Sequence, residues 1–143
     1  GAAFRGTVGV DRLSQVGQRD LYIVVEYQRD GLGGANVDQY LEVLQSDTFS
    51  RGELQVLGRD ETVVQASYSL HPLLSLAGLW IWNLGDRSAL ISPSFAYSLG
   101  GDSSITGGFF LGIGDDEISA ARPVPSEYGL AGTTAFVSLS RFF

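Results

Sequence analysis

Apolar and polar residues alternate along most of this chain with a period of two, the pattern of strands whose two faces meet different surroundings. Seven such segments stand out, at about 4–13, 20–29, 62–71, 73–83, 88–99, 103–114 and 130–143. One face of each is apolar. In chain order these faces are Phe4, Val8 and Val10; Leu21, Ile23, Val25 and Tyr27; Val64, Ala66, Tyr68 and Leu70; Leu74, Leu76, Trp80 and Trp82; Ala89, Ile91, Phe95, Tyr97 and Leu99; Ile105, Phe109, Leu111 and Ile113; and Ala135, Val137, Leu139 and Phe143. The opposite faces are small or polar: Arg5, Thr7, Gly9 and Asp11; Tyr22, Glu26 and Gln28; Gln65, Ser67 and Ser69; Ser92, Ser94 and Ser98; Ser104, Thr106 and Gly108. One stretch, about 37–46, has helical spacing, with Val37, Tyr40, Leu41 and Leu44 in one stripe, Asn36 placed to cap it and Asp38 in its first turn. Pro93 lies inside a strand pattern and lacks a ladder donor, so a local bulge is expected there.

The expected fold class is all-β and antiparallel. A soluble sandwich or barrel would also alternate. Two details favour a transmembrane barrel segment. Every strand carries the pattern, and the polar faces are mostly Ser, Thr, Gly and Gln rather than Lys and Glu, which suits the lining of a lumen. Several segments also reach the 9–11 residues that a tilted membrane strand requires. Loop lengths give an independent indication, because bacterial barrels join strands by short periplasmic turns and longer extracellular loops. With the last strand running toward the periplasm, the turns at Ser14–Arg19, His71-Pro72 and Gly100–Asp102 are periplasmic and short. Asp30–Glu61, Leu84–Arg87 and Asp115–Gly129 are then extracellular, and two of the three are long. The same orientation sends Phe4, Tyr27, Trp80 and Trp82 toward the outer edge and Tyr68, Tyr97 and Phe143 toward the periplasmic edge, as interfacial girdles require.

Composition narrows this picture. The chain has 143 residues, enough for one domain, and a formal net charge of -7 with only 9 basic residues. No nucleic-acid footprint is present, so no nucleic-acid partner is expected. Without cysteine there is neither a disulfide nor a thiolate metal site. Hydrophobic residues make up 44%, yet no apolar run reaches the roughly 18 residues of a membrane helix; Leu70–Leu84 is interrupted by His71, Pro72, Ser75 and Asn83. A membrane would have to be crossed by strands. The start, Gly1-Ala2-Ala3-Phe4-Arg5, opens directly into strand pattern with no charged and apolar leader.

The last segment, Ala135-Phe136-Val137-Ser138-Leu139-Ser140-Arg141-Phe142-Phe143, resembles the terminal strand of bacterial outer-membrane proteins. The final Phe143 and the alternating Leu139, Val137 and Ala135 match that signature, while Arg141 stands where an apolar residue is usual. An interfacial Arg can snorkel to the headgroups. The stretches Ser67–Leu76, Asn83–Ser88 and Ser92-Pro93-Ser94 are similar to the last strands of large porin-like barrels of Gram-negative bacteria. The resemblance implies residence in the bacterial outer membrane, against the lipid bilayer and lipopolysaccharide, and recognition by the outer-membrane assembly machinery through the C-terminal strand. Seven alternating strands leave the first and last running the same way, so they cannot close antiparallel on each other. Further strands, from the same gene or a second chain, are expected to complete a larger barrel of roughly 12 or more strands.

The leading functional expectation is a porin-like channel for small solutes, lined by Arg5, Asp11, Glu26, Gln28 and Gln65. Near its outer mouth the lumen face turns apolar, at Leu79, Ile81, Leu90 and Phe110. The stripe Val37, Tyr40, Leu41 and Leu44 is expected to fold inward onto that patch and narrow or plug the lumen. A plugged structural or docking barrel that binds a partner protein is the alternative. Enzymatic chemistry has little to build on, and neither a catalytic set nor a cofactor or metal is expected. His71, the sole histidine, has Ser67 and Ser69 on its face but no acid placed to orient it, and reads as a turn residue. Asp115-Asp116-Glu117 lacks the spaced pattern of a cation-binding loop and reads as a solvated loop tip. Gly31-Leu32-Gly33-Gly34 is followed by no Lys-Ser/Thr, so it is no phosphate loop.

Overall fold

In a computed structural model that describes residues 4–142, seven strands form: β1 (Arg5–Val16), β2 (Arg19–Asp30), β3 (Asp60–His71), β4 (Leu74–Asn83), β5 (Ala89–Gly100), β6 (Ser103–Ile113) and β7 (Thr133–Arg141). Phe143, the expected end of the last apolar face, lies outside the described residues. The strands make one antiparallel sheet in chain order. The sheet is open. β1 and β7 are its edges, and alternation of direction makes the two run the same way.

Residues directly opposite in an antiparallel pair point to the same face, so the register sorts the side chains. Val10, Val25, Val64, Trp80, Ile91, Leu111 and Thr133 lie opposite one another in turn across all seven strands. Ser14, Leu21, Tyr68, Leu76, Phe95, Gly107 and Val137 form a parallel row on the same face. The other face carries Thr7, Gln28, Glu61 and Asn83 in one row and Asp11, Val24, Gln65, Leu79 and Ser92 in the next. A one-residue slip in any pair would have mixed the two faces.

The three turns at one end are tight. Gly17 and Gln18 have φ of 60° and 65°, and Gly101 and Asp102 have 56° and 58°. These left-handed pairs are the hairpin connections whose twist suits flanking strands. The first turn is accordingly shorter than the expected Ser14–Arg19, because β1 and β2 keep pairing down to Val16 and Arg19. At Pro72-Leu73 the Leu73 N–H donates to His71 Nδ1 (3.2 Å), which gives the sole histidine a place in the turn.

Pro93 behaves differently from expectation. The β4–β5 register passes through Gly78 opposite Pro93 unchanged, and the β5–β6 register is the same on either side of it. The bulges lie instead at Tyr68/His71 and Ser98/Gly100, next to turns. A residue inside a sheet offers its N–H to one neighbour only, so the missing donor interrupts pairing toward β6 without shifting it.

The sheet has almost no core. Among the described residues the buried hydrophobic side chains are Tyr40, Val43, Leu54 and Ala89, and the first three belong to the loop between β2 and β3. On the apolar face Val10, Val137 and Leu139 are each at least 70% exposed. The accessible surface is 9308 Å² for 15.3 kDa, roughly 30% above what a folded soluble monomer of that mass shows. Among the described residues no second layer covers either face of the sheet along its length.

Candidate functional site

The polar side chains that are buried gather at the end of the sheet opposite the tight turns. Three connections meet there: L1 (31–59), the short turn 84–88, and L3 (114–132). L1 leaves β2 through Asp30, whose carboxylate accepts from the Leu32 N–H (3.0 Å). Its two ends are tied to each other by Gly34 N–H to Leu57 O (2.8 Å) and Arg59 N–H to Gly34 O (3.0 Å). Between them lie a 3₁₀ turn (Val37–Gln39) and the short helices α1 (Tyr40–Leu44) and α2 (Asp47–Ser50). Asn36 precedes the first turn, but its side chain makes no capping bond; Gln39 Oε1 instead accepts from the Ala35 N–H (2.8 Å). Ser46 caps α2 by accepting from the Phe49 N–H (3.2 Å).

The expected stripe is altered at one position. Tyr40 and Val43 are buried, Val37 and Leu44 are half-buried, and Leu41 is 43% exposed. The tighter 3₁₀ entry and the single α-turn after it bring positions three apart onto one side, so Val43 rather than Leu41 shares the buried side with Tyr40.

Asn83, the last residue of β4, is the centre of the site. It is fully buried and uses its whole hydrogen-bonding capacity. Its Nδ2 donates to Tyr40 Oη (2.7 Å) from L1 and to Glu127 Oε2 (2.6 Å) from L3. Its Oδ1 accepts from the Gly85 and Asp86 N–H groups (2.8 and 3.3 Å), which forms the turn into β5. Glu127 also takes the Leu57 and Gly58 N–H groups of L1 (2.6 and 3.0 Å), so one carboxylate joins both long loops to the strand end. Gly58 is needed there, because a Cβ would overlap the Asn83 amide. L3 is anchored further by Glu127 N–H to Asp86 Oδ2 (2.7 Å), by Tyr128 Oη donating to Glu61 (2.9 Å), and by Ser126 Oγ donating to Asp115 O (2.6 Å). Burial, reinforced by Asp86, pushes the Tyr40 phenol far above its ordinary pKa. Burial and the charges of Glu127 and Glu61 do the same to Tyr128. Both phenols therefore stay protonated, and Tyr128 remains a donor to Glu61.

All these contacts fall on one face. Glu61 and Asn83 lie on the polar face, as do Arg5 and Asp30. Arg5 pairs with Asp30 (2.7 Å) and donates to Glu53 O of L1 (2.8 Å). L1 and L3 thus fold over the end of the polar face opposite the tight turns. Compared with known proteins, the chain matches no family model, no curated protein and no solved structure.

The sequence-derived lining residues share that face. Asp11 accepts from the Tyr22 hydroxyl (3.2 Å), Glu26 lies opposite Gly9, Gln28 lies between Thr7 and Glu61, and Gln65 lies between Val24 and Leu79. Leu79, Ile81 and Leu90 are half-buried on it. Phe110 is 41% exposed and packs on Phe136, with ring centroids 5.8 Å apart. The hydrogen bond from the sheet to α1 is made at Asn83, beyond that apolar patch. Asn83, Glu127, Tyr128 and Glu61 were not singled out by sequence reasoning. The turn chemistry of Asn83-Leu84-Gly85-Asp86 was the available signal for the first. Nothing local marks Glu127, whose side-chain partners are 44 to 70 residues away.

Proposed function

We propose that the chain is part of an antiparallel β-barrel in a bacterial outer membrane, and that the closed barrel is a porin-like channel for small solutes rather than an enzyme. The observation that carries the reading is the contrast between the faces. Both long loops fold over the polar face, while the apolar face runs uncovered across seven strands. Lipid is the solvent that such a face suits, and the polar face then lines the lumen. The tight turns would face the periplasm. Trp80 and Trp82, stacked at 6.3 Å, would stand toward the lipopolysaccharide leaflet, and Tyr68 and Tyr97 toward the inner leaflet. β7 would be the strand that the outer-membrane assembly machinery recognises.

Because β1 and β7 run the same way, antiparallel closure needs an odd number of additional strands. These 143 residues alone are therefore expected to yield no closed, heat-modifiable, membrane-inserted monomer; a folded monomer that shifts on unheated gels would contradict this closure argument.

L1 folding inward narrows the mouth. Deleting Val37–Ser46 in the closed barrel is expected to raise single-channel conductance in planar bilayers and to lower the unfolding temperature. Unchanged conductance would leave L1 no role in the pore. The stitching of L1 to L3 through Asn83 and Glu127 also favours a second reading, a plugged docking barrel. That reading predicts no current from the intact barrel.

A further inference from the structure

The register separates charge by sign as well as by polarity. Apart from Glu61, which is buried and bound by the Tyr128 hydroxyl, the strands place Asp11, Asp20, Glu26 and Asp30 on the polar face against a single cation, Arg5. On the apolar face they place Arg12, Arg19, Arg29 and Arg141 against a single anion, Asp60. Arg5 is held by Asp30, and Arg29 by Asp60, both at 2.7 Å. Summed over the strand residues, the formal charge is thus negative on one face of the sheet and positive on the other.

The acids of the polar face are spread along the wall. Asp20 stands near the tight turns, Asp11 at mid-height and Glu26 one row further out. Six residues of strand separate Asp20 from Glu26, about 20 Å of path. Two of these groups are set by their neighbours. The Tyr22 hydroxyl holds Asp11 (3.2 Å), and Glu26 lies across Gly9, where a Cβ would stand 2.8 Å from its Cγ. A carboxylate on a confined wall with low-dielectric backing projects its field into the water beside it. At 0.1 M salt the screening length is about 10 Å, so fields from neighbouring acids overlap along the path.

Resting on the channel reading, we propose that this wall makes the pore cation-selective, favouring small cationic solutes over anions of equal size. The selectivity comes from a field along β1 and β2, and no single residue forms a binding site for the ion. It requires the solute to pass beside the polar face of these strands.

The test is the reversal potential of the closed barrel in a planar bilayer under a KCl gradient. The wild-type protein is expected to pass potassium in preference to chloride. The preference should weaken when the mean salt is raised from about 0.1 M to about 1 M, where the screening length falls to about 3 Å. The pair Asp11→Asn and Glu26→Gln keeps side-chain size and should lower the permeability ratio by at least about twofold. A current carried mainly by chloride overturns the selectivity and leaves the channel standing, and so does a ratio unmoved by both salt and the double substitution. Absence of any current overturns the channel, and the selectivity with it.

Discussion

Replacing Asn83 with alanine is expected to release both long loops from the sheet and to cost about 3 kcal/mol or more, since several buried groups lose their partners at once. The amide donates to Tyr40 and Glu127 and accepts from Gly85 and Asp86, all within 2.6–3.3 Å. Water cannot replace it without opening the loops, because the site is fully buried. Asn83→Asp preserves the shape and the two accepted bonds but sets a carboxylate against Glu127, so it should be at least as damaging. Hydrogen exchange reads the effect directly. The Leu57 and Gly58 amides, bound by Glu127, should lose protection in both variants, while the β4–β5 ladder below keeps its own. Equal protection at Leu57 and Gly58 in variant and wild type would show that the three loops are held by something other than this residue.

Ile91→Arg should be the most damaging change on the sheet itself. Ile91 stands between Trp80 and Leu111 in the central apolar row. In a bilayer an Arg at midplane depth costs about 2–4 kcal/mol. Its neighbour Ser92 points to the opposite face, so Ser92→Arg places the same charge toward water and should cost much less. The pair is measured by the unfolding of the closed barrel in lipid vesicles. If Ser92→Arg proved the worse of the two, the assignment of faces to lipid and lumen would be reversed.

The strand pattern was legible because it needs only local chemistry. A strand exposed to two unlike environments must alternate, so Leu21–Tyr27 or Ile105–Ile113 declares its faces without its neighbours. Turn residues declared themselves too, as at Gly101-Asp102, where few residues tolerate a left-handed backbone. The helix was legible in place but not in detail. Leu41 fits the stripe of a regular α-helix, and the 3₁₀ entry turned Val43 inward instead. At Pro93 the missing donor implies a bulge only if it disturbs the register, and that depends on which neighbouring strand the donor would have faced, which the sequence does not carry.

The roof over the polar face could not be read from the chain. Glu127 is one acid among sixteen, and the run Asp115-Asp116-Glu117 is the more conspicuous feature of the same loop. What makes Glu127 matter is that L1 brings two backbone N–H groups to it while β4 brings Asn83, a meeting that depends on how loops of very different length fold back. The sequence by itself determined an all-β chain, its two unlike faces, the ends at which turns are tight or loops long, and the parity that leaves both edges running the same way. Those follow from a period of two and from counting, which are properties of a line. The tertiary structure alone decided the register that aligns the apolar rows across seven strands, the sorting of charge between faces, and the folding of L1 and L3 over the polar face onto Asn83. Those depend on pairing between residues far apart in the chain, where side-chain geometry and burial choose among partners that the sequence leaves equivalent.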